Sequence, residues 1–164
     1  SIIMLNLTGQ LSTAEISDFV KQKNSLSVWD DIIARTMEIW IRFLGYTGEI
    51  PLRRALVPYP EKSVMFWFPK MEGRADRDNR LSEDGMTITE MDTASKTNDR
   101  ETIPYLVFAG YQGREAGGAQ YYKFVGVFKY SAQDSQDGVK RVYKRISDHL
   151  IWKNGNPADF EWQD

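Results

Sequence analysis

The chain has no cysteine and a single histidine, His149, among its 164 residues. Without thiols there is no disulfide framework and no thiolate metal site, and one imidazole excludes a multi-histidine metal site. A Ser-His-Asp triad would have to use His149. Long apolar runs are also lacking. The stretch Val64–Phe68 is only a handful of residues, against the ~20 that a membrane-spanning helix needs. The start lacks the basic, apolar and small-residue zones of a secretory signal, although a cleaved signal leaves no trace. A reduced, cytoplasmic setting without a membrane is the default expectation. Neither sign of charge dominates: 21 Lys and Arg face 23 Asp and Glu, for a net charge of −2. Whole-chain charge therefore lends no support to non-specific nucleic-acid binding, which shows as a basic domain.

What is present is a globular composition, 41% hydrophobic and 27% charged, which excludes a mostly disordered chain. The length suits about one domain. Aromatics reach 13%, with five Trp, eight Tyr and eight Phe. They serve cores and flat-ligand sites equally well, so their placement has to decide. The chain opens with Ser and ends shortly after Asn154-Gly155-Asn156-Pro157, which reads as one domain cut from a longer protein.

Ser12-Thr13-Ala14-Glu15 fits a capping box at the start of a short helix to about Lys23. Ser27 reads as a second N-cap, followed by a helix over Val28–Leu44. Its apolar set is Val28, Trp29, Ile32, Ile33, Met37, Trp40, Ile41 and Leu44, with Gly45 as a left-handed C-cap. After Gly48 the pattern changes, because Pro51, Pro58, Pro60 and Pro69 exclude a long helix. Strands are expected at Leu52–Val57, Ser63–Phe68, Met86–Met91, Tyr105–Tyr111, Tyr121–Tyr130, Lys140–Ser147 and Leu150–Trp152. Glu72–Asp84 and Thr93–Thr102 read as polar loops. The expectation is an α+β fold: N-terminal helices over 1–48, then a curved, mainly antiparallel β-sheet or small β-barrel over 49–152, then a tail over 153–164.

On strand Tyr121–Tyr130, alternation puts Tyr122, Phe124, Gly126, Phe128 and Tyr130 on one face. A glycine inside an aromatic face marks either a sharp bend or the floor of a pocket. Strand Lys140–Ser147 carries Lys140, Arg141, Lys144 and Arg145, a local positive stripe within an acidic chain. Such a stripe suits phosphate contacts, or guards a solvated edge strand against aggregation. Lys70, Arg74, Arg77 and Arg80 could extend it, but Glu72, Asp76 and Asp78 interleave and cancel most of the field. Trp67 alternates with Val64, Phe66 and Phe68, so it needs its own cover, either the N-terminal helices or a ligand. Tyr59, Trp67, Tyr105 and Tyr111 are candidates for stacking on a planar group, or are core.

Catalytic patterns are weak. Asp30-Asp31 diverge on a helix, Glu61-Lys62 lacks the spacer of an Asp…Glu-x-Lys nuclease motif, and Asp148-His149 has no accompanying Ser or Lys motif. Gly110-Tyr111-Gln112-Gly113 and Gly117-Gly118 join strands and lead into no helix, so they form no phosphate loop. The residues point to a binding module with no cofactor, no metal and no catalytic group of its own. A protein-interaction domain, a carbohydrate-binding module and a divergent nuclease stay open as alternatives.

The succession Leu106-Val107-Phe108, a Gly-rich loop, Tyr121-Tyr122-Lys123-Phe124-Val125-Gly126-Val127-Phe128, then Arg141-Val142-Tyr143-Lys144-Arg145-Ile146-Ser147 resembles modules of the PUA superfamily. It is most similar to the SRA-like and EVE-like domains attached to modification-dependent restriction endonucleases. Asp78–Glu90 resembles part of such a module more loosely. The likeness spans about Trp67 to Ser147. It implies a compact β-barrel that binds double-stranded DNA and receives a modified base flipped out of the duplex, modified cytosine such as 5-methylcytosine or another modified base. It also implies nuclease or helicase activity in another domain of the same polypeptide. On this reading Trp67, Tyr105 and one of Tyr59 or Tyr111 wall the base, and Asp76 or Asn79 reads its edge. Arg77, Arg80, Lys140, Arg141, Lys144 and Arg145 contact phosphates.

Overall fold

The structure, a computed structural model, describes residues 3–5 (as backbone), 23–51, 54–71, 78–91, 102–112 and 120–163. The expected helix over 12–23 and the loop positions Asp76 and Arg77 lie outside the described residues. Of the helix expected over Val28–Leu44, only α1 (Met37–Phe43) forms. The first half is a turn and a strand instead. Ser27 uses its capping chemistry on the turn, where its Oγ accepts from Trp29 N at 3.2 Å, while Asp30 accepts Ser27 N at 2.8 Å. Ile32–Ala34 then extends as a strand with all three residues buried, because pairing with neighbouring strands outweighs the helical spacing of its side chains. Thr36 caps α1 by accepting from Ile39 N. The helix ends in a Schellman motif, with Tyr46 N on Ile41 O and Gly45 N on Arg42 O. Gly45 takes the expected left-handed conformation, φ 91°.

The strands are β1 (Ile3–Leu5), β2 (Ser25–Ser27), β3 (Ile32–Ala34), β4 (Leu56–Tyr59), β5 (Val64–Trp67), β6 (Asp78–Leu81), β7 (Thr87–Met91), β8 (Tyr105–Gln112), β9 (Gln120–Tyr130), β10 (Lys140–Ser147) and β11 (His149–Ile151). The main sheet runs β4-β5-β8-β9-β10-β7-β6, with β3 on β9 and β1 on β3, while β2 pairs with β11. Its ladders are antiparallel except β5–β8 and β1–β3. The fold is α+β, dominated by this mixed sheet. β6 occupies part of the expected loop Glu72–Asp84; its Asp78-Asn79-Arg80-Leu81 has one apolar residue and gives no strand signal by itself. The sheet curls until β6 meets the residues after β5: Asn79 Nδ2 donates to Lys70 O at 3.2 Å, and Lys70 bridges to Gly110 of β8. The described ladder stays open, and at this seam a side-chain bond stands between β6 and the segment after β5.

Two bulges set the faces. On β8–β9, Val107 pairs with Gly126 but Phe108 pairs with Phe124, so Val125 is a residue extra. Alternation therefore breaks within β9. Tyr122, Phe124 and Val127 join one core, and Phe128 and Tyr130 the other, which corrects the single aromatic face expected from the sequence. On β10, Arg145 pairs with Phe128 and Ser147 with Val127, leaving Ile146 over. The first core packs the sheet against α1, with Trp40, Ile41 and Leu44 fully buried. Trp40 Nε1 also donates to Tyr122 O at 3.0 Å. The second core fills the inside of the curl, with Met65, Trp67, Ile88, Tyr105, Val107, Phe128 and Tyr143.

Gly126 marks a bend and not a pocket floor. Its φ is 130°, and a Cβ added there would lie 2.5 Å from Arg145 Cδ and 2.9 Å from the Ser147 carbonyl oxygen. The space beside it is already occupied. Gly126→Ala should cost about 2–4 kcal/mol through backbone strain and overpacking. Urea unfolding would show this as a lower midpoint at unchanged slope.

Candidate functional site

The inside of the curl or its edge holds Trp67, Tyr105, Tyr111, Asn79 and Arg141 of the residues expected at a site. Trp67 is 3% exposed and Tyr105 1%. The cover that Trp67 requires comes from the curled sheet itself and not from the helix. Its ring centroid lies 4.5 Å from Tyr143 and 5.8 Å from Tyr105, the latter edge-on. These spacings leave no slot for another ring between them, so Trp67, Tyr105 and Tyr143 form a continuous aromatic floor. Tyr111 is half-buried at the edge of the same core, 5.7 Å from Tyr121. Tyr59 is a correction. It belongs to the first core, stacked on Phe66 at 5.3 Å, with its hydroxyl donating to Leu44 O at 3.1 Å. Burial raises its pKa. Both faces and the hydroxyl are used, so it cannot take a base.

A polar row crosses the inner face beside this floor. Register aligns Asn79, Glu90 and Arg141 across β6, β7 and β10, and the next inward row aligns Leu81, Ile88 and Tyr143. Glu90 is 1% exposed and Arg141 6%, and Arg141 Nη1 donates to Glu90 Oε1 at 3.2 Å. A buried pair of this kind is a weak source of stability, because desolvation offsets most of the attraction. Asn79 is 8% exposed. Its Nδ2 holds the seam, and its Oδ1 is buried with no hydrogen-bond donor. A buried carboxamide oxygen in that state lacks about 1–3 kcal/mol of compensation. It has the chemistry to accept a hydrogen bond from an amino group brought to the inner face.

The four cations of β10 divide. Lys140 and Lys144 alternate to the outside, and Lys144 is exposed, with Nζ 3.3 Å from Thr87 Oγ1. Arg141 turns inward onto Glu90, which corrects its expected place on a phosphate: a buried, ion-paired guanidinium cannot reach one. Arg145 is half-buried; its stem crosses Gly126 and its Nη1 lies against Gly85. Arg80 is exposed and holds Asp78 at 2.7 Å. That hydrogen bond keeps the Asp78 carboxyl below the usual carboxylate range.

Sequence reasoning missed Glu90, Tyr143 and Lys123. Glu90 lies inside a strand that alternates Thr-Ile-Thr-Glu, and an inward glutamate at its end was the available signal. Lys123 is half-buried on β9, and its Nζ donates to Val28 O at 2.6 Å. Burial lowers its pKa, against the pull of Asp31 and Asp30. Asp148 and His149 hydrogen-bond at 2.7 Å through Oδ1 and Nδ1. The adjacent Ser147 Oγ is spent on the His149 carbonyl oxygen.

Comparison with protein families places this geometry. Residues 19–151 match the model of the SET and RING associated (SRA) domain. The chain belongs to that family. Among solved structures it is similar to the 5-hydroxymethylcytosine-specific restriction enzyme AbaSI, with a TM-score of 0.66 and 22% identity. The match covers 88% of this chain and 49% of that one, so the chain spans about half the length of that enzyme. No curated protein matches the sequence.

Removing one member of the buried pair should be worse than removing both. Arg141→Met alone should lower stability by ~3–5 kcal/mol, and Glu90→Gln with Arg141→Met by clearly less. A double-mutant cycle in urea would measure the difference.

Proposed function

We propose that this domain is a DNA-reading module that takes a modified cytosine, flipped from the duplex, onto the inner face of its curled sheet. The observation that carries the reading is the buried Oδ1 of Asn79, unmet by any donor, beside a buried carboxylate and an aromatic floor. Cytosine presents an exocyclic amino group on its pairing edge, and a base out of the stack is read by hydrogen bonds to that edge plus ring contact. Asn79 Oδ1 accepts from the amino group. Glu90, aligned with it, is held in place by Arg141, which compensates its charge. The base lies against the half-buried Tyr111 at the rim, and the packed Trp67-Tyr105-Tyr143 floor behind it supplies a rigid wall.

Membership of the SRA family and likeness to a 5-hydroxymethylcytosine-specific enzyme support this reading. That enzyme is about twice as long as the matched region, which supports placing the nuclease chemistry in another part of a longer polypeptide. Phosphates fall to the outward cations Lys140, Lys144 and Arg80, and Arg77, outside the described residues, stays a further candidate. Asp76, also outside them, is a second candidate for the base edge. Arg145 serves as a brace that also adds positive charge near the turn at Gly85.

The test is a titration of unmodified, methylated and hydroxymethylated duplexes at several salt concentrations. Asn79→Ala should lose about tenfold or more of the preference for the modified duplex, since a good base-edge contact is worth ~1–3 kcal/mol. Its salt dependence should not change. Lys140→Gln with Lys144→Gln should weaken all duplexes alike and lower the slope of log K against log salt by roughly two. Parent protein that binds the three duplexes equally would overturn the reading.

A further inference from the structure

Trp29 is the most exposed large apolar side chain among the described residues, at 72%. The turn that carries it is nonetheless tightly fixed. Ser27 N bonds to Asp30 Oδ2 and Asp30 N to Ser27 O. Trp29 N bonds to Ser27 Oγ, and Val28 N to Asp148 O at 3.0 Å. From β9, the half-buried Lys123 reaches Val28 O. None of these bonds uses the indole. A turn held at both ends and from beneath, with its largest ring directed outward, displays that ring at almost no conformational cost.

The surroundings narrow what the ring can meet. A protein-docking surface is a contiguous apolar patch. Among the described residues, the other exposed large apolar ones are Met86, Met91 and Val139. They stand on or beside β7 and β10, whereas the Trp29 turn is tied to β9 and Asp148. A flat ring standing apart from the other exposed apolar residues described suits stacking on a nucleobase or insertion beside one. Its site is also related to the inner face. Lys123 alternates on β9 with Tyr121, which pairs with Tyr111 at the edge of the second core. The strand that braces the Trp29 turn is thus the one that lines the rim.

We propose that Trp29 is a second DNA contact, stacking on the duplex outside the inner face and independently of base identity. This rests on the DNA-reading function proposed above. Base–aromatic stacking is worth ~1–3 kcal/mol, so Trp29→Ala should weaken modified and unmodified duplexes alike by roughly 5- to 150-fold. The modified-to-unmodified ratio and the salt slope should stay as in the parent, and Trp29→Tyr should restore most of the affinity. Thermal unfolding of Trp29→Ala should match the parent, because the ring packs on little. The remaining described tryptophans are buried or half-buried, so iodide quenching of the parent should exceed that of Trp29→Phe, and duplex should abolish the difference.

Parent protein that prefers modified DNA, with Trp29→Ala binding as tightly as the parent, would overturn this proposal alone. Unchanged duplex affinity together with lost self-association in sedimentation would assign the ring to a protein contact and overturn it too. Parent protein that binds no duplex would overturn the DNA-reading function and this contact with it.

Discussion

Val125 is one residue more than the ladder between β8 and β9 can pair, and the two-sided character of the molecule follows from it. The longest strand turns its aromatic side chains to opposite faces along its length. Its first part is fastened to the helix through the indole of Trp40, and its last part lines the inside of the curl. Gly126 follows at once, in a conformation only glycine adopts without strain. The stem of Arg145 lies where a side chain would otherwise be. One bulge, one glycine and one long cation therefore fix which residues can face the interior of the curl.

That interior is divided into an apolar part and a polar part. Ionised and amide groups persist there only because register sets them side by side, so that carboxylate, guanidinium and carboxamide share one row. Aliphatic side chains of similar volume would fill the same space at less desolvation cost. Under the proposed function the polar row is recognition chemistry, and the tightly packed rings next to it supply rigidity.

Much of the sheet was legible in the sequence. The β-branched and aromatic runs from Val64 onward lie where strands form, within a residue or two for β10, β9 and β5, and Gly45 ends its helix as its position suggested. Helical spacing misled over Val28–Ala34, where three consecutive buried residues were paired into a sheet by strands far away in the chain. β6 was invisible because an Asp-Asn-Arg-Leu segment carries no pattern of its own. At the candidate site, residue type and alternation brought Trp67 and Tyr105 forward as candidates and the family resemblance added Asn79, and the structure sets all three in one curl. Tyr59 and Arg141 were placed on the wrong environments, and Glu90 was overlooked. These errors share a cause: inward and outward are decided by bulges and by curl, which depend on pairings that no local window contains.

The amide of Asn79 has two ends, and they answer to different parts of the molecule. Its nitrogen fastens β6 to the residues after β5, and its oxygen faces the interior without a donor. Both atoms ride on the same two side-chain torsions, so whatever engages the oxygen also settles the rotamer that fastens the seam. By reciprocity, a shut seam presents the oxygen at a fixed angle, and a loosened one lets it swing away. Under the proposed function, filling the interior and closing the curl would be coupled through this one amide.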